Sequence, residues 1–149
     1  MQIRPITKEN RQEALQLGVY DFQKDYIETV QECLQEADAC KDWHPVGLYV
    51  QDTMVGFAMY GKITEERYTR VWFDRLLIDC HHQSKGYGNQ AFELVLNLIL
   101  QEYEKEDIYL SVYDQNERAM RLYQNHGFEK ILERDTKGEQ IMRYKNGTN

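Results

Sequence analysis

The sequence predicts a single α/β domain built on a mixed sheet, and three observations carry that expectation. Strand-like and helix-like apolar patterns follow one another in the order β-α-α-β-β-β-α-β-α-β-β along the 149 residues. A strand-like run, Val71-Trp72-Phe73-Asp74-Arg75-Leu76-Leu77-Ile78, empties through a glycine-bearing turn into a long apolar-periodic helix. The composition, 42% hydrophobic and 29% charged, suits one soluble core covering residues 1–149, with no repeat, linker or second domain.

Taken in order, residues 2–5 read as an opening strand, and Thr7 as the N-cap of a helix carrying Ala14, Leu15 and Leu17 that Gly18 ends. Over residues 25–38, Tyr26, Ile27, Val30, Cys33, Leu34 and Ala37 recur at helical spacing and predict a second amphipathic helix. Residues 46–51 and 54–63 flank Asp52-Thr53 as a hairpin, followed by a polar loop through Glu65, Glu66 and Arg67. After the strand over 71–78, Phe92, Val95, Leu96 and Ile99 mark a helix beginning near Asn89. A strand over 108–112 and a helix over about 116–126, closed by Gly127, come next. Residues 128–133 and 140–144, joined through Lys137-Gly138, form a terminal hairpin.

The turn His81-His82-Gln83-Ser84-Lys85-Gly86-Tyr87-Gly88 carries the chemistry. Backbone N–H groups at a helix start have no intrahelical partner, and the helix dipole puts partial positive charge at the same place. Gly86 and Gly88 let the backbone approach a phosphate, and Lys85 adds a mobile cation, so the segment reads as a diphosphate cradle. Gly86-x-Gly88-x-x-Ala91 also satisfies a dinucleotide fingerprint, but the acidic residue expected at the end of the next strand is missing: Glu106 and Asp107 precede that strand. A glycine turn without a ligand is the plain structural alternative.

Period-two alternation places Trp72, Asp74, Leu76 and Ile78 on one face, which makes Asp74 a carboxylate among apolar neighbours, raised toward a general-base range or held in a structural ion pair. Tyr123 shares a helix face with Ala119 and Asn116. It is either a core aromatic or a proton donor. Asn116 caps that helix or offers its amide to a ligand.

Gln83-x-x-Gly86-x-Gly88 after the Ile78-terminated strand resembles motif A of the GNAT superfamily of acetyl-CoA-dependent N-acetyltransferases. The stretch Ser111-Val112-Tyr113-Asp114-Gln115-Asn116-Glu117-Arg118-Ala119-Met120-Arg121-Leu122-Tyr123-Gln124-Asn125-His126-Gly127-Phe128 resembles its motif B, and the earlier elements follow the family's order. Ser84 stands where many members carry Gly, and Cys80-His81 where Pro-Glu is common. More narrowly, Pro45-Val46-Gly47-Leu48-Tyr49, the run from Val55 to Gly61 and Asp74-Arg75 resemble bacterial spermine/spermidine acetyltransferases.

The resemblance implies a largely antiparallel sheet, flanked by helices and splayed after the strand ending at Ile78, where the pantetheine of acetyl-CoA pairs with freed backbone. Ile78 and Cys80 would give backbone contacts. The amides of Gln83, Ser84, Lys85, Gly86, Tyr87 and Gly88 would hold the pyrophosphate, and Asn116 and Tyr123 would contact the cofactor. Asp74 would accept the amine proton and Tyr123 would protonate the departing thiolate. Asp21, Asp25 and Glu28 would hold ammonium groups of a polyamine, with Tyr26, Trp43 and Trp72 packing on its methylenes or giving cation–π contacts. The enzyme alternatives are an amino sugar, an amino acid or a protein lysine as acceptor. A non-catalytic acetyl-CoA sensor is the alternative from another class.

The acidic series Asp25, Glu28, Glu32 and Glu36 is otherwise a solvated helix face. Asp79-Cys80-His81-His82 invites a metal, but adjacent residues in extended chain point to alternate faces, so no metal is expected. Cys80 has no flanking base that would make it a nucleophile. Cys33, Cys40 and Cys80 show no CxxC spacing and read as reduced thiols. No signal peptide and no apolar run near 20 residues is found, which predicts a cytoplasmic protein without membrane contact. A net charge of −7 opposes nucleic-acid binding and favours a cationic small partner; a homodimer is compatible with it.

Overall fold

A computed structural model of the chain describes residues 1–20 and 28–147. Its elements are β1 (Gln2–Pro5), α1 (Arg11–Leu15), α2 (Val30–Ala39), β2 (Trp43–Val50), β3 (Thr53–Thr64), β4 (Thr69–Ile78), α3 (Tyr87–Glu102), β5 (Ile108–Val112), α4 (Glu117–Asn125), β6 (Phe128–Arg134) and β7 (Gln140–Tyr144). The order is the expected one. One sheet runs β1-β2-β3-β4-β5-β7-β6, antiparallel at every pairing except β4 with β5.

The two faces bury separate cores. Val46, Leu48, Ala58, Tyr60, Val71 and Phe73 meet Phe92, Val95 and Ile99 of α3 on one side. Tyr49, Met54, Phe57, Met59 and Leu77 meet Ala14 of α1 and Val30, Cys33, Leu34 and Ala37 of α2 on the other. Each of β2, β3 and β4 therefore alternates between two apolar layers. Their unusually continuous apolar runs follow from burial on both faces.

Three boundaries differ from the sequence reading. Thr7 does not cap α1: its carbonyl accepts from the Arg11 amide at 3.0 Å, while Asn10 Oδ1 accepts from the Thr7 amide at 2.8 Å, and only Arg11–Leu15 is helical. The second helix starts at Val30, because Thr29 and Glu32 form a reciprocal capping box, so Glu28 precedes the helix instead of lying on it. The third helix starts at Tyr87, with Gly86 as a left-handed N-cap at φ 80°.

Two features of β4 position the site. Its pairing with β5 is confined to Val71 with Ile108 and Trp72 with Tyr109, after which the two strands separate. On its other side, Met59 pairs with Arg75 and Tyr60 with Phe73, which leaves Asp74 as the extra residue of a β-bulge. The bulge overturns the expected single face. Trp72 lies opposite Phe73, whereas Leu76 and Ile78 pack on the same core as Phe73.

Candidate active site

Where β4 and β5 part, a cavity of about 400 Å³ opens between the strand ends and the N-terminal turns of α3 and α4. Leu76, Leu77 and Ile78 line one wall, Asn116, Ala119, Leu122 and Tyr123 another, and Gln83, Ser84, Gly86, Tyr87 and Gly88 a third. The backbone of the third wall is shaped for close approach. Ser84 and Gly86 have φ of 65° and 80°, and a Cβ built on Gly86 or Gly88 would stand in open space with nothing within 4 Å. A bulky anion can thus reach the first amides of α3, whose dipole favours negative charge. Gln83 Nε2 donates to the Ile78 carbonyl at 2.9 Å and ties the turn to the strand end.

The other residues expected at the cofactor lie differently. Lys85 is exposed and off the cavity wall. Cys80 also stands outside it, and its amide is taken by the Gly18 carbonyl at 2.7 Å, so that N–H is not open to a pantetheine carbonyl. Asn116 Oδ1 accepts from the Ala119 amide at 3.4 Å, which is the capping role. Arg118, not singled out from sequence, adds a guanidinium to the wall. Its position two residues after the Asn116 cap, in the helix turn that faces the opening, was the available signal.

Tyr123 is held by aromatic packing. Phe92 stacks on Phe73 at 5.1 Å and contacts the rings of Tyr123, His126 and Phe128 at 5.2, 4.9 and 5.9 Å. Among the described residues the phenol has no hydrogen-bond partner. Burial, more than the opposing Arg75 charge, pushes it up to about 12, so it is protonated across any working pH.

Asp74 sits two residues before the cavity-lining Leu76. Its Oδ2 is buried and has no partner among the described residues. Burial lifts its carboxyl to about 6 against the pull of Arg75, with Glu28 and Glu139 adding to the rise. Around it stands an ion cluster that sequence reading did not assemble. Glu28 Oε1 lies 2.6 Å from both the Arg75 guanidinium and the Lys137 ammonium. Burial would raise Glu28, but hydrogen bonds from Lys137 and Glu36 and the Arg75 charge hold it well below the usual carboxylate range. Burial and the bond to Glu28 push Glu36 up, so of the two carboxyls Glu36 is the one that takes a proton and Glu28 stays ionised. Lys137 and Glu139 come from the turn before β7, more than 100 positions from Glu28, a proximity with no local sequence signal.

Of the expected acceptor residues, Asp21, Asp25 and Tyr26 lie outside the described residues. Trp43, Gly61, Trp72 and Tyr109 are in register across β2, β3, β4 and β5, so these aromatics share a face. A Cβ at Gly61 would collide with the Asp42 carbonyl and come 3.2 Å from the Trp43 ring. Trp43 packs into the α1/α2 core, and Trp72 lies 5.7 Å from Tyr109 with its indole N–H buried and without a partner among the described residues. Neither tryptophan nor Glu28 is on the cavity wall.

Comparison with known proteins gives consistent findings. The model of the acetyltransferase (GNAT) family matches residues 9–128. The spermine/spermidine N(1)-acetyltransferase of Bacillus subtilis is 40% identical over 144 residues, which cover 94% of this chain and 95% of that protein. Two solved structures superpose with TM-scores of 0.69. One is a PaiA N-acetyltransferase from Thermoplasma acidophilum with coenzyme A, 17% identical over 97% of this chain and 98% of that one. The other is a spermidine N-acetyltransferase from Vibrio cholerae with CoA and spermine, 16% identical over 95% and 92%.

Proposed function

From the premise that the chain belongs to the GNAT family of acetyltransferases, we infer that it moves acetyl from acetyl-CoA to a primary amine of a polyamine such as spermidine or spermine. The opening between β4 and β5 supports this reading, because the anion cradle and Tyr123 line one cleft, and Asp74 stands on β4 two residues before Leu76 of its wall. The residues suit the donor. The amides of residues 83–88 would take the pyrophosphate, Arg118 on the wall and the exposed Lys85 beside it would add positive charge, and Ile78 and Asn116 would flank the pantetheine.

A protonated amine is no nucleophile, so Asp74, ionised above about pH 6, takes its proton directly or through water. Backbone donors freed by the splayed strands polarise the thioester carbonyl. Tyr123, protonated at every working pH, then gives its proton to the thiolate. Attack is direct, within a complex of both substrates. The acidic groups around Asp74, namely Glu28, Glu36 and Glu139, together with Asp21 and Asp25, favour an acceptor with more than one ammonium group. Trp43 and Trp72, off the cavity wall, are left without a part in holding its methylenes. The 40% identity to a spermine/spermidine enzyme supports the same acceptor.

No helix among the described residues is long and apolar enough to cross a membrane, and the unpaired thiols Cys33, Cys40 and Cys80 suit the reducing cytoplasm. The test is thiol release from acetyl-CoA over an amine panel with mass detection of products. Acetylated spermidine or spermine as the fastest product is expected. Faster transfer to an amino sugar, amino acid or lysine peptide would move the acceptor, and binding without thiol release would make the chain a sensor.

A further inference from the structure

The sequence around Asp79-Cys80-His81-His82 argues against a metal only if the chain there is extended, and it is not. Cys80–His82 forms a single 3-10 turn, with Asp79 as its cap accepting from the His81 amide. The turn gathers side chains that a strand would separate. A carboxylate oxygen of Asp79, the Cys80 thiol and a ring nitrogen of His81 lie within 4.8 Å of one another. Cys80 Sγ stands 3.7 Å from His81 Nδ1, and Asp79 Oδ2 stands 3.2 Å from the same nitrogen.

The two spacings to the His81 nitrogen match edges of a zinc tetrahedron, and the third pair, Asp79 oxygen and Cys80 sulfur, lies within 4.8 Å. Bonds of about 2.0 Å to oxygen or nitrogen and about 2.3 Å to sulfur, at tetrahedral angles, put ligand atoms roughly 3.3 Å (O to N) and 3.6 Å (S to N) apart. We propose that Asp79, Cys80 and His81 form a binding site for a zinc-type divalent cation, with a fourth position open to water or an exogenous donor. The carboxylate is already held in place. Its side chain is 8% exposed, Oδ1 accepts from the Gly18 amide at 3.0 Å, and His82 Nδ1 lies 3.1 Å from Oδ2. Such support of a ligating carboxylate by outer hydrogen bonds is what metal sites require. The His81 ring, 84% exposed, is at liberty to turn toward the ion. The mixed O, S and N donor set selects Zn²⁺ or Co²⁺ over Mg²⁺ and Ca²⁺, which prefer oxygen alone. Binding converts the Cys80 thiol to a thiolate and releases its proton to the buffer, so affinity rises with pH.

The test is titration of reduced, tag-free protein with Co²⁺ alone, following the near-ultraviolet thiolate-to-cobalt charge-transfer band, and then displacement of the cobalt by Zn²⁺. One equivalent should saturate the band, and Mg²⁺ should not displace it. Cys80→Ser should abolish the band, Cys40→Ser should keep it, and His81→Ala should weaken Zn²⁺ binding at least roughly ten-fold, since outer partners alone are worth about 10–100-fold. The exposed His81 can be replaced without disturbing the fold, which keeps the test decisive if Cys80→Ser misfolds. A band that survives Cys80→Ser, His81→Ala binding Zn²⁺ as tightly as the parent, or no saturable cobalt binding would overturn the site.

Discussion

Asp74 is a carboxylate that folding disfavours. Its ordinary value of 3.8 is raised to about 6 by burial, and a rise of that size is worth roughly 3 kcal/mol. Because the folded value lies above the unfolded one, the carboxyl favours the native state below about pH 4, and this contribution is lost as pH rises through 6. Asp74→Asn mimics the neutral form. It should therefore unfold at higher urea than the parent at pH 8, by up to about 3 kcal/mol, with the difference vanishing near pH 4. The same variant should lose the acidic limb of kcat/KM near pH 6, whereas a limb that persists would assign the titration to water or to the substrate amine. Tyr123→Phe removes a hydroxyl that has no partner among the described residues, so stability should hardly change. Its kcat should fall about 10²- to 10⁴-fold with acetyl-CoA affinity nearly intact, measured by calorimetry beside steady-state rates.

At the scale of elements, the strand–turn–helix that would cradle a diphosphate was legible because glycines, a strand end and a helix start are local signals. The bulge that isolates Asp74 was not, since register depends on the partner strand and β3 gives no sign that Met59 and Tyr60 will straddle it. Alternation alone put Trp72 and Leu76 on one face; the partner strand put them on two. The start of α2 was missed, although Thr29-x-x-Glu32 is a local signal for the reciprocal cap that begins it at Val30. Gly86 and Gly88 now separate into two cases. Gly86 needs its positive φ, so Gly86→Val strains the fold as well as the site, whereas Gly88 has helical conformation and open space around its missing Cβ. Gly88→Ala should fold at least as stably as the parent, gaining up to about 1 kcal/mol of helix propensity. It should also bind coenzyme A much more weakly than Lys85→Ala, because a methyl group then stands over the donors. Equal calorimetric affinities for the two variants would remove the cradle assignment.

At the scale of the whole molecule, a net charge of −7 draws polycations, and the ion cluster decides what they meet. Glu28 is engaged by two cations of its own chain, Arg75 and Lys137, so an incoming ammonium must compete for it. Lys137 is half exposed at a turn, a position from which its ammonium can be displaced, while Arg75 is buried in β4 and stays. The two partners of one ion pair should then respond with opposite sign. Glu28→Gln should reduce kcat/KM for spermidine about ten-fold, the size of a lost charge-assisted contact, with a simple alkylamine little affected. Lys137→Met should raise the spermidine value and leave the alkylamine unchanged. Added salt should erode the spermidine advantage in the parent by screening, and more steeply in Lys137→Met, where the carboxylate faces the substrate alone. If both substitutions depress spermidine turnover equally, the pair is a clamp that shapes the cleft, and the distal ammonium is held by other carboxylates.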